Sequence, residues 1–412
     1  MSSAPDTPRR DADVLVLGAS YAGVEVAYQL HRQAPVKPPR IVVVDRDREH
    51  GYLPLVQERL LGTIPAASTK LQTARYVESL PHARFVQGEI VAIDPEARTV
   101  DLADGTRLGA RILVIALGSV LEPPPSIRGA ERLLAHKSPA QFDALHAALG
   151  RVLDGSVERP RIVVIGGGIS GVELTGELAA LRTRADRPWP TPPDVTLVGG
   201  PSRLVPILRP RVGARAERAL AAQQVDVRTA TRVVEVGDGW VEVERGGASS
   251  RIDCALALWA GGIAPAPILA GLGLPRTDDG WLAVGPTLQC FPGGAGRAEV
   301  FACGDAVRVV GGEGPWPTMQ RAIECIWQAK LVAANALTLL GQSADYPNGV
   351  PPLRPHTLRP GFAYGVSLGR RSLVVWGPLC VDLPRINHWF RRWLMRQYFA
   401  RYPAPAAELS AR

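Results

Sequence analysis

Gly18-Ala-Ser-Tyr-Ala-Gly23 and Gly166-Gly-Gly-Ile-Ser-Gly171 stand 148 positions apart and share one form, a small-residue turn that opens a helix. Each follows a run that reads as a buried parallel strand, Val14-Leu-Val-Leu17 and Ile162-Val-Val-Ile165, and each leads into an amphipathic stretch, Val24 to Leu30 and Val172 to Leu178. The first Gly makes the tight turn, the middle position lets a pyrophosphate approach the backbone, and the last Gly packs helix on strand. The phosphates then sit on free N–H groups at the helix N-terminus. Two such cradles predict two bound dinucleotides.

Working outward, the first unit continues to Ile41-Val-Val-Val44, which ends in Asp45. The Pro-rich excursion Ala34 to Pro39 places that acid 27 positions after Gly18, where about 20 is usual. A polar helical stretch follows, then short strands at 84–90 and 99–102 and a buried strand from Ile112 to Gly118. Pro123 to Pro125 breaks the chain. A second unit runs from about Pro160 to Pro265, with strands Val195 to Val198 and Leu256 to Gly261. Glu299 to Cys303 reads as a further strand, followed by Gly304-Asp305 and a long helix from about Pro317 to Leu340. The first sheet needs such a strand for completion. The expected architecture is therefore α/β, with two Rossmann-like dinucleotide-binding domains, the second inserted in the first: 1–125 with 276–340, and 126–275. The remainder, 341–412, divides into a Pro-rich loop, a hairpin over 361–377 and a helix over 384–402. No tandem repeat of 20 to 50 residues is visible.

With 412 residues, 46% of them hydrophobic, and a mean hydropathy of +0.04, the composition is that of a soluble globular protein of two or three domains. The net charge of +8 comes with a strong bias, 43 of the 47 basic residues being Arg, so it does not by itself point to nucleic acid. Cys254, Cys290, Cys303, Cys325 and Cys380 form no CxxC pair and no zinc spacing, and Cys303 reads as a small buried hydrophobe. The seven histidines are scattered, and no Ser-His-Asp set or Walker loop can be assembled. The first ten residues lack an apolar core, and no run reaches the roughly 18 to 20 apolar residues of a membrane span. A reducing, cytoplasmic setting is expected, and no metal.

The ordered motifs Gly18 to Gly23, Ile115-Ala-Leu-Gly118, Val164 to Leu178, Trp259-Ala-Gly-Gly262 and Val300-Phe-Ala-Cys-Gly-Asp305 resemble the two-dinucleotide-binding flavoproteins. Within that superfamily the chain resembles type II NADH dehydrogenases and the apoptosis-inducing-factor-like pyridine nucleotide-disulfide oxidoreductases, over about residues 12 to 400. The resemblance implies FAD on the first unit, at Gly18, Ser20, Gly23, Asp45, Gly118, Gly304 and Asp305. It implies NADH or NADPH on the second, at Gly166, Gly168, Gly171 and Gly262. Glu173 matches a family position facing the flavin near the nicotinamide, where a buried carboxylate with a raised pKa would relay protons; a first-turn Glu favoured by the helix dipole is the alternative.

Three departures bear on the chemistry. Ser20 replaces the middle glycine of the FAD motif, and its hydroxyl offers a hydrogen bond in exchange for the lost space. Gly199 stands where an NADH enzyme places a carboxylate for the ribose 2′-OH, and Arg203 follows, so NADPH would be tolerated; a plain turn with a solvated Arg is the alternative. Finally, Met319-Gln-Arg-Ala-Ile-Glu324 aligns with the family's Ala-Gln-x-Ala-x-Gln at the quinone site, matching at Gln320 and Ala322 but carrying Met319 and Glu324 at the other two positions. No cysteine precedes Cys254, so the thiol pair of disulfide reductases and sulfide:quinone oxidoreductases is missing.

The segment Arg385 to Tyr402 has five Arg, no acid and six aromatics, with Ile386, Trp389, Phe390, Trp393 and Leu394 in one helical stripe. This pattern suits an anionic membrane surface, with Arg391, Arg392 and Arg396 near lipid phosphates, or packing on the chain itself or a second subunit. The function expected is transfer of hydride from NAD(P)H to FAD and of electrons on to a quinone, by a protein peripheral on the inner face of the cell membrane. A soluble reductase of a ferredoxin-like protein, and an interaction protein with structural FAD and an Arg-rich nucleic-acid surface, stand as rivals.

Overall fold

The structure, a computed structural model, describes residues 11–34, 36–62, 64–185, 187–291, 299–310, 320–341, 352–358, 363–384 and 386–403. The first Gly-rich turn joins strand Ala12–Leu17 to helix Tyr21–Gln33. That strand lies between Ile41–Asp45 and Arg107–Ile115 and is parallel to both. Val14 to Leu17 are fully buried, as an unbroken apolar strand covered on both faces must be. Ala83–Gln87 adds a parallel strand beyond Ile41–Asp45. On the other side, the nine-residue strand Arg107–Ile115 serves two partners. Its start pairs antiparallel with Thr99–Leu102 and its end parallel with Val300–Ala302. A strand that follows the second unit in sequence thus joins the sheet begun before it.

The run 84–90, read as one strand, is two. Ala83–Gln87 belongs to the parallel sheet, whereas Ile90–Asp94 turns away after Gly88-Glu89 to pair with Thr99–Leu102. The helix expected from about Pro317 is Ala322–Leu339, with 317–319 outside the described residues. It packs against Tyr21–Gln33, where Gln33 donates to Lys330 O at 3.2 Å.

The second Gly-rich turn joins strand Arg161–Ile165 to helix Ile169–Ala180. Four parallel strands run in the order Asp226–Arg228, Asp194–Val198, Arg161–Ile165, Leu256–Trp259. An antiparallel sheet of Arg232–Gly237, Trp240–Arg245 and Ala248–Asp253 covers one face, where Val233, Val241 and Ile252 pack on Val163, Ile165 and Val198. Helices cover the other, among them Pro139–Val152, which starts in a reciprocal Ser138–Gln141 capping box.

The region expected as a hairpin over 361–377 is a three-stranded meander, Tyr364–Leu368, Arg371–Trp376 and Leu379–Pro384, because the Gly377 turn reverses the chain once more. The expected Pro-rich loop falls largely outside the described residues, at 342–351. Gly176 lets the meander seat on helix Ile169–Ala180, since a Cβ there would lie 2.7 Å from Leu368 Cα.

The last helix, Ile386–Arg401, presents its aromatic stripe outward, as the membrane reading expects, but most of its arginines do not go with it; Arg385 lies outside the described residues. Three of its four arginines and His388 turn inward, while Arg396 stays exposed. Arg391 pairs with Glu173, Arg392 with Glu58, Arg401 with Glu25, and His388 meets Glu177 at 2.7 Å. Tyr398 and Tyr402 are buried beneath it. Its aromatic stripe faces solvent, with Trp389 68%, Phe390 47% and Trp393 43% exposed, alongside Trp376 and Leu379 of the meander. The buried carboxylates Glu25, Glu58, Glu173 and Glu177 draw this basic face in. Among the described residues no helix is long and apolar enough to cross a membrane.

Candidate functional site

Both Gly-rich turns open onto one cleft of about 1560 Å³ between the two units. In each unit the turn is built the same way. Gly18 and Gly166 take positive φ values of 97° and 136°, and a Cβ on them would run into the carbonyl oxygens of Ala116 and Ala260 at 2.4 and 2.2 Å. Gly23 and Gly171 do not line the cleft. They lie beneath it, where a Cβ would strike the Gly18 and Gly166 carbonyls, so they act by seating helix on strand.

The middle positions test whether a phosphate fits. Gly168 has an extended backbone (φ −75°) that any residue adopts, and a Cβ there meets nothing within 4 Å. Neither strain nor crowding in the chain itself calls for glycine here; room for a ligand does. Ser20 occupies the matching place with φ −84°, is exposed, lines the cleft, and does not cap its helix. Each site combines open space with a helix N-terminus, and each suits a pyrophosphate.

In the first unit, Asp45 lines the cleft at the end of its strand and accepts from Ala19 N–H at 2.7 Å and Asp47 N–H at 2.9 Å; burial nonetheless pushes its pKa up. Asp305 lies across the sheet, accepting from Ser119 Oγ at 3.0 Å and Lys137 Nζ at 3.2 Å. Gly118 lines the same wall, whereas Gly304 sits behind it and donates its N–H to Gln328 Oε1 at 2.8 Å. In the second unit Gly166, Gly168 and Gly262 line the cleft.

Glu173 sits where the two halves meet. It is buried, with one carboxylate oxygen accepting from Ser367 N–H at 2.9 Å and from Arg391, and the other from Gln57 at 3.0 Å. Burial would lower the Arg391 guanidinium, but Glu173, Glu177 and Glu58 outweigh it and hold it above its ordinary range. Glu173, read from the sequence as a proton relay or a first-turn Glu, is thus held at both carboxylate oxygens by Ser367, Gln57 and Arg391. Around this junction the cleft wall carries Tyr21, Gln57, Gln320, Tyr364 and Arg391. Arg321 lies there too, 3.7 Å over the Tyr364 ring.

Three expected site residues are corrected. Arg203 does not reach the cleft: its two Nη atoms donate to Leu208 O at 2.7 Å and Pro206 O at 2.5 Å, tying down its own loop. Gly199 also lies off the cleft wall, and its neighbour Gly200 lines it. Glu324 points away into the protein, where it accepts from Gln328 at 3.1 Å and pairs with His356; it steadies the Gly304 turn through Gln328 and forms no part of the cleft. Gln320 does line the cleft, and Met319 lies outside the described residues. Sequence reasoning missed Lys137, Gln57, Tyr364 and Arg391, which no local motif marks.

Burial raises the thiols in this region, Cys303 to about 12 and Cys325 well above its ordinary value, and all five cysteines are unpaired. They are poor candidates for thiolate chemistry. Among the described residues no group of His, Cys, Asp or Glu is placed to hold a metal ion.

The chain matches the family model of the pyridine nucleotide-disulphide oxidoreductases over residues 12–329. It is 26% identical over 330 residues to the type II NADH:quinone oxidoreductase NdhA of Mycobacterium tuberculosis, covering 72% of this chain and 67% of that one. It is 27% identical over 305 residues to demethylphylloquinone reductase NdbB of Synechocystis, covering 71% of each. In structure it is similar to NDH2 of Plasmodium falciparum in complex with NADH, with a TM-score of 0.79 at 13% identity over 95% of both chains. The sulfide:quinone oxidoreductase of Aquifex aeolicus gives 0.76 at 16% identity, over 94% of this chain and 91% of that one. The motifs, the doubled fold and these likenesses agree: this chain belongs to the pyridine nucleotide-disulphide oxidoreductase family.

Proposed function

We propose that this protein is an FAD-dependent NAD(P)H:quinone oxidoreductase. The observation that carries the reading is the single cleft with a phosphate cradle from each unit and Glu173 at their junction; the names of the two curated relatives supply the acceptor class. Gly18, Ser20, Asp45, Gly118 and Asp305 would hold FAD, with Gly23 and Gly304 shaping the turn. Gly166, Gly168 and Gly262 would hold the pyridine nucleotide, with Gly171 behind them. Bound FAD supplies a two-electron carrier that takes hydride from the nicotinamide and passes the electrons on. The chain positions the two rings, and Glu173, held by Ser367, Gln57 and Arg391, is the residue placed to relay protons beside them. Lys137 offsets the charge of Asp305. Gln320 and Tyr364 border the place left for the acceptor.

The proposed division is 1–125 with 276–340 for FAD, 126–275 for the nucleotide, and 341–412 for the acceptor and surface region. The exposed stripe of Ile386, Trp389, Phe390, Trp393 and Leu394 is assigned to a lipid surface. The same meander and helix supply Tyr364, Gly365 and Arg391 to the cleft wall, so a lipid-soluble acceptor would meet the cleft beside the docked face.

Anaerobic reduction of the purified protein by NADH, followed by reoxidation with a quinone series and with a ferredoxin, tests the function. Rapid reoxidation by quinone is expected. Reoxidation by ferredoxin alone, or slow turnover with every acceptor, would overturn it.

A further inference from the structure

The hydrogen bonding of the two units fixes which of their residues correspond. Gly18 N–H donates to Val44 O and Gly166 N–H to Val198 O, both at 2.8 Å. Gly199 therefore stands where Asp45 stands in the first unit. A side chain is poorly accommodated there, since a Cβ on Gly199 would lie 3.3 Å from Gly167 Cα. The acid that would face an adenosine ribose in an NADH site is thus replaced by backbone packed on backbone.

The next residue, Gly200, lines the cleft, and a Cβ on it would sit 4.0 Å from Arg232 Cγ. The Arg232 stem lies over Gly200. Its position is set by two backbone bonds, Thr231 N–H to Gly199 O at 3.0 Å and Ala230 N–H to Pro201 O at 2.9 Å. The loop carrying Pro206 and Ile207 is held to the same turn by Val205 N–H to Gly167 O at 2.7 Å, and both residues line the cleft, Ile207 63% exposed. Arg203 is committed to the carbonyls of its own loop, and Arg228, paired with Asp226 at 2.9 Å, does not line the cleft. Arg232 itself is 72% exposed, and its partner in the structure is Glu244, at 3.3 Å across the sheet. An exposed pair of that kind is screened by water and readily exchanged for a better anion.

We propose that this pocket takes a 2′-phosphorylated adenosine, the phosphate-bearing arm of NADPH, and that Arg232 is the residue that recognises it. The guanidinium leaves Glu244 and forks onto the 2′-phosphate, a bidentate geometry a Lys does not reproduce. Pro206 and Ile207 offer apolar surface to the adenine. Among the described residues no carboxylate lines this part of the cleft to repel the phosphate.

The inference rests on the reading of the second cradle as the pyridine-nucleotide site, so the test separates the two. Binding of ADP-ribose and of 2′-phospho-ADP-ribose to the flavin-loaded protein is measured by calorimetry for wild type, Arg232→Ala and Arg232→Lys, beside anaerobic flavin reduction by NADH and NADPH. Wild type is expected to favour the 2′-phosphorylated ligand, more so at low salt. Arg232→Ala should lower affinity for that ligand at least tenfold more than affinity for ADP-ribose, with Arg232→Lys between. An equal loss for both ligands would mean that Arg232 only stacks on adenine and would overturn the inference. So would a wild type that binds ADP-ribose but rejects the phosphorylated form. Failure of both ligands to bind and of both nucleotides to reduce the flavin would instead overturn the reading of the site.

Discussion

Arg391 and Glu173, 218 positions apart, form an ion pair inside the cleft, and the same guanidinium donates to Gly365 O at 2.8 Å. The last helix of the chain therefore completes the wall where the two nucleotide units meet. It also ties them together, because its other partners are Glu25 and Glu58 on the flavin side and Glu177 on the nucleotide side. Removing one partner of a buried pair leaves an unpaired charge, at a cost of about 3–5 kcal/mol. Arg391→Met should lower the melting temperature and slow flavin reduction, while Arg391→Met with Glu173→Gln should recover most of the stability but not the rate. Denaturant titration of the three variants checks this; additive losses in the double variant would show that the two side chains act independently.

The two cradles were legible because each is local: strand, turn and helix are contiguous, and the steric reasons for Gly18, Gly23, Gly166 and Gly171 lie within or beside the motif. The parallel sheet followed from unbroken apolar runs. What the sequence hid was long-range. Arg203 was close to Gly199 along the chain but spends its donors on its own loop, whereas Arg232, a strand away, lies over Gly200. Glu324 matched a motif position yet turns inward to Gln328 and His356. The pattern of the last helix alone places its arginines beside lipid phosphates; the acids that turn Arg391, Arg392 and Arg401 inward come from three distant helices.

The near-identity of the two turns allows the cofactors to be separated. Gly18→Ala places a methyl 2.4 Å from Ala116 O and should give protein without flavin. Gly166→Ala makes the same clash with Ala260 O at 2.2 Å and should give yellow protein that pyridine nucleotides no longer reduce. Flavin absorbance and anaerobic titration distinguish them, and loss of flavin from the Gly166 variant would assign the wrong cofactor to the second unit. Asp305→Ala should lower flavin occupancy without abolishing the fold.

Stability should fall in mild acid. His50 is buried against the Tyr21 and Tyr398 rings, with the Tyr398 hydroxyl 3.0 Å from Nε2, and burial lowers its pKa from 6.5 to about 4. The unfolded chain binds this proton below about pH 6.5 and the folded chain only near pH 4. The stability is thus fully present above pH 6.5 and lost as pH falls through that window, on the order of 3 kcal/mol in all. His136, likewise buried and lowered to about 4, adds to the loss. Thermal melts from pH 7.5 to 4.5 should show the decline, and His50→Gln, which keeps a partner for Tyr398, should flatten it. An unchanged slope in that variant would place the proton uptake elsewhere.

The outward stripe of the last helix makes the membrane assignment testable without removing the helix. Truncation is the wrong experiment, since it would strip Arg391 from Glu173 and open the cleft. The exposed rings are the handle. Trp389, Phe390 and Trp393 are exposed and stand outside the buried core clusters, Phe390 and Trp393 stacking on each other at 5.8 Å. Rings of this kind insert at the headgroup level, and the exposed Arg396 adds attraction to anionic lipid of roughly 1 kcal/mol. With Arg391, Arg392 and Arg401 turned inward, apolar insertion carries most of the binding, so attachment should depend only weakly on salt. Co-sedimentation of the flavin-loaded protein with phosphatidylglycerol–phosphatidylcholine vesicles should capture wild type, and the Trp389→Ser, Phe390→Ser, Trp393→Ser triple variant should remain in solution with its melting temperature within a few degrees of wild type. Equal sedimentation of the two proteins would reject the lipid assignment. A wild type that ignores vesicles but elutes as a dimer, with the triple variant a monomer, would reassign the stripe to a second copy of the chain.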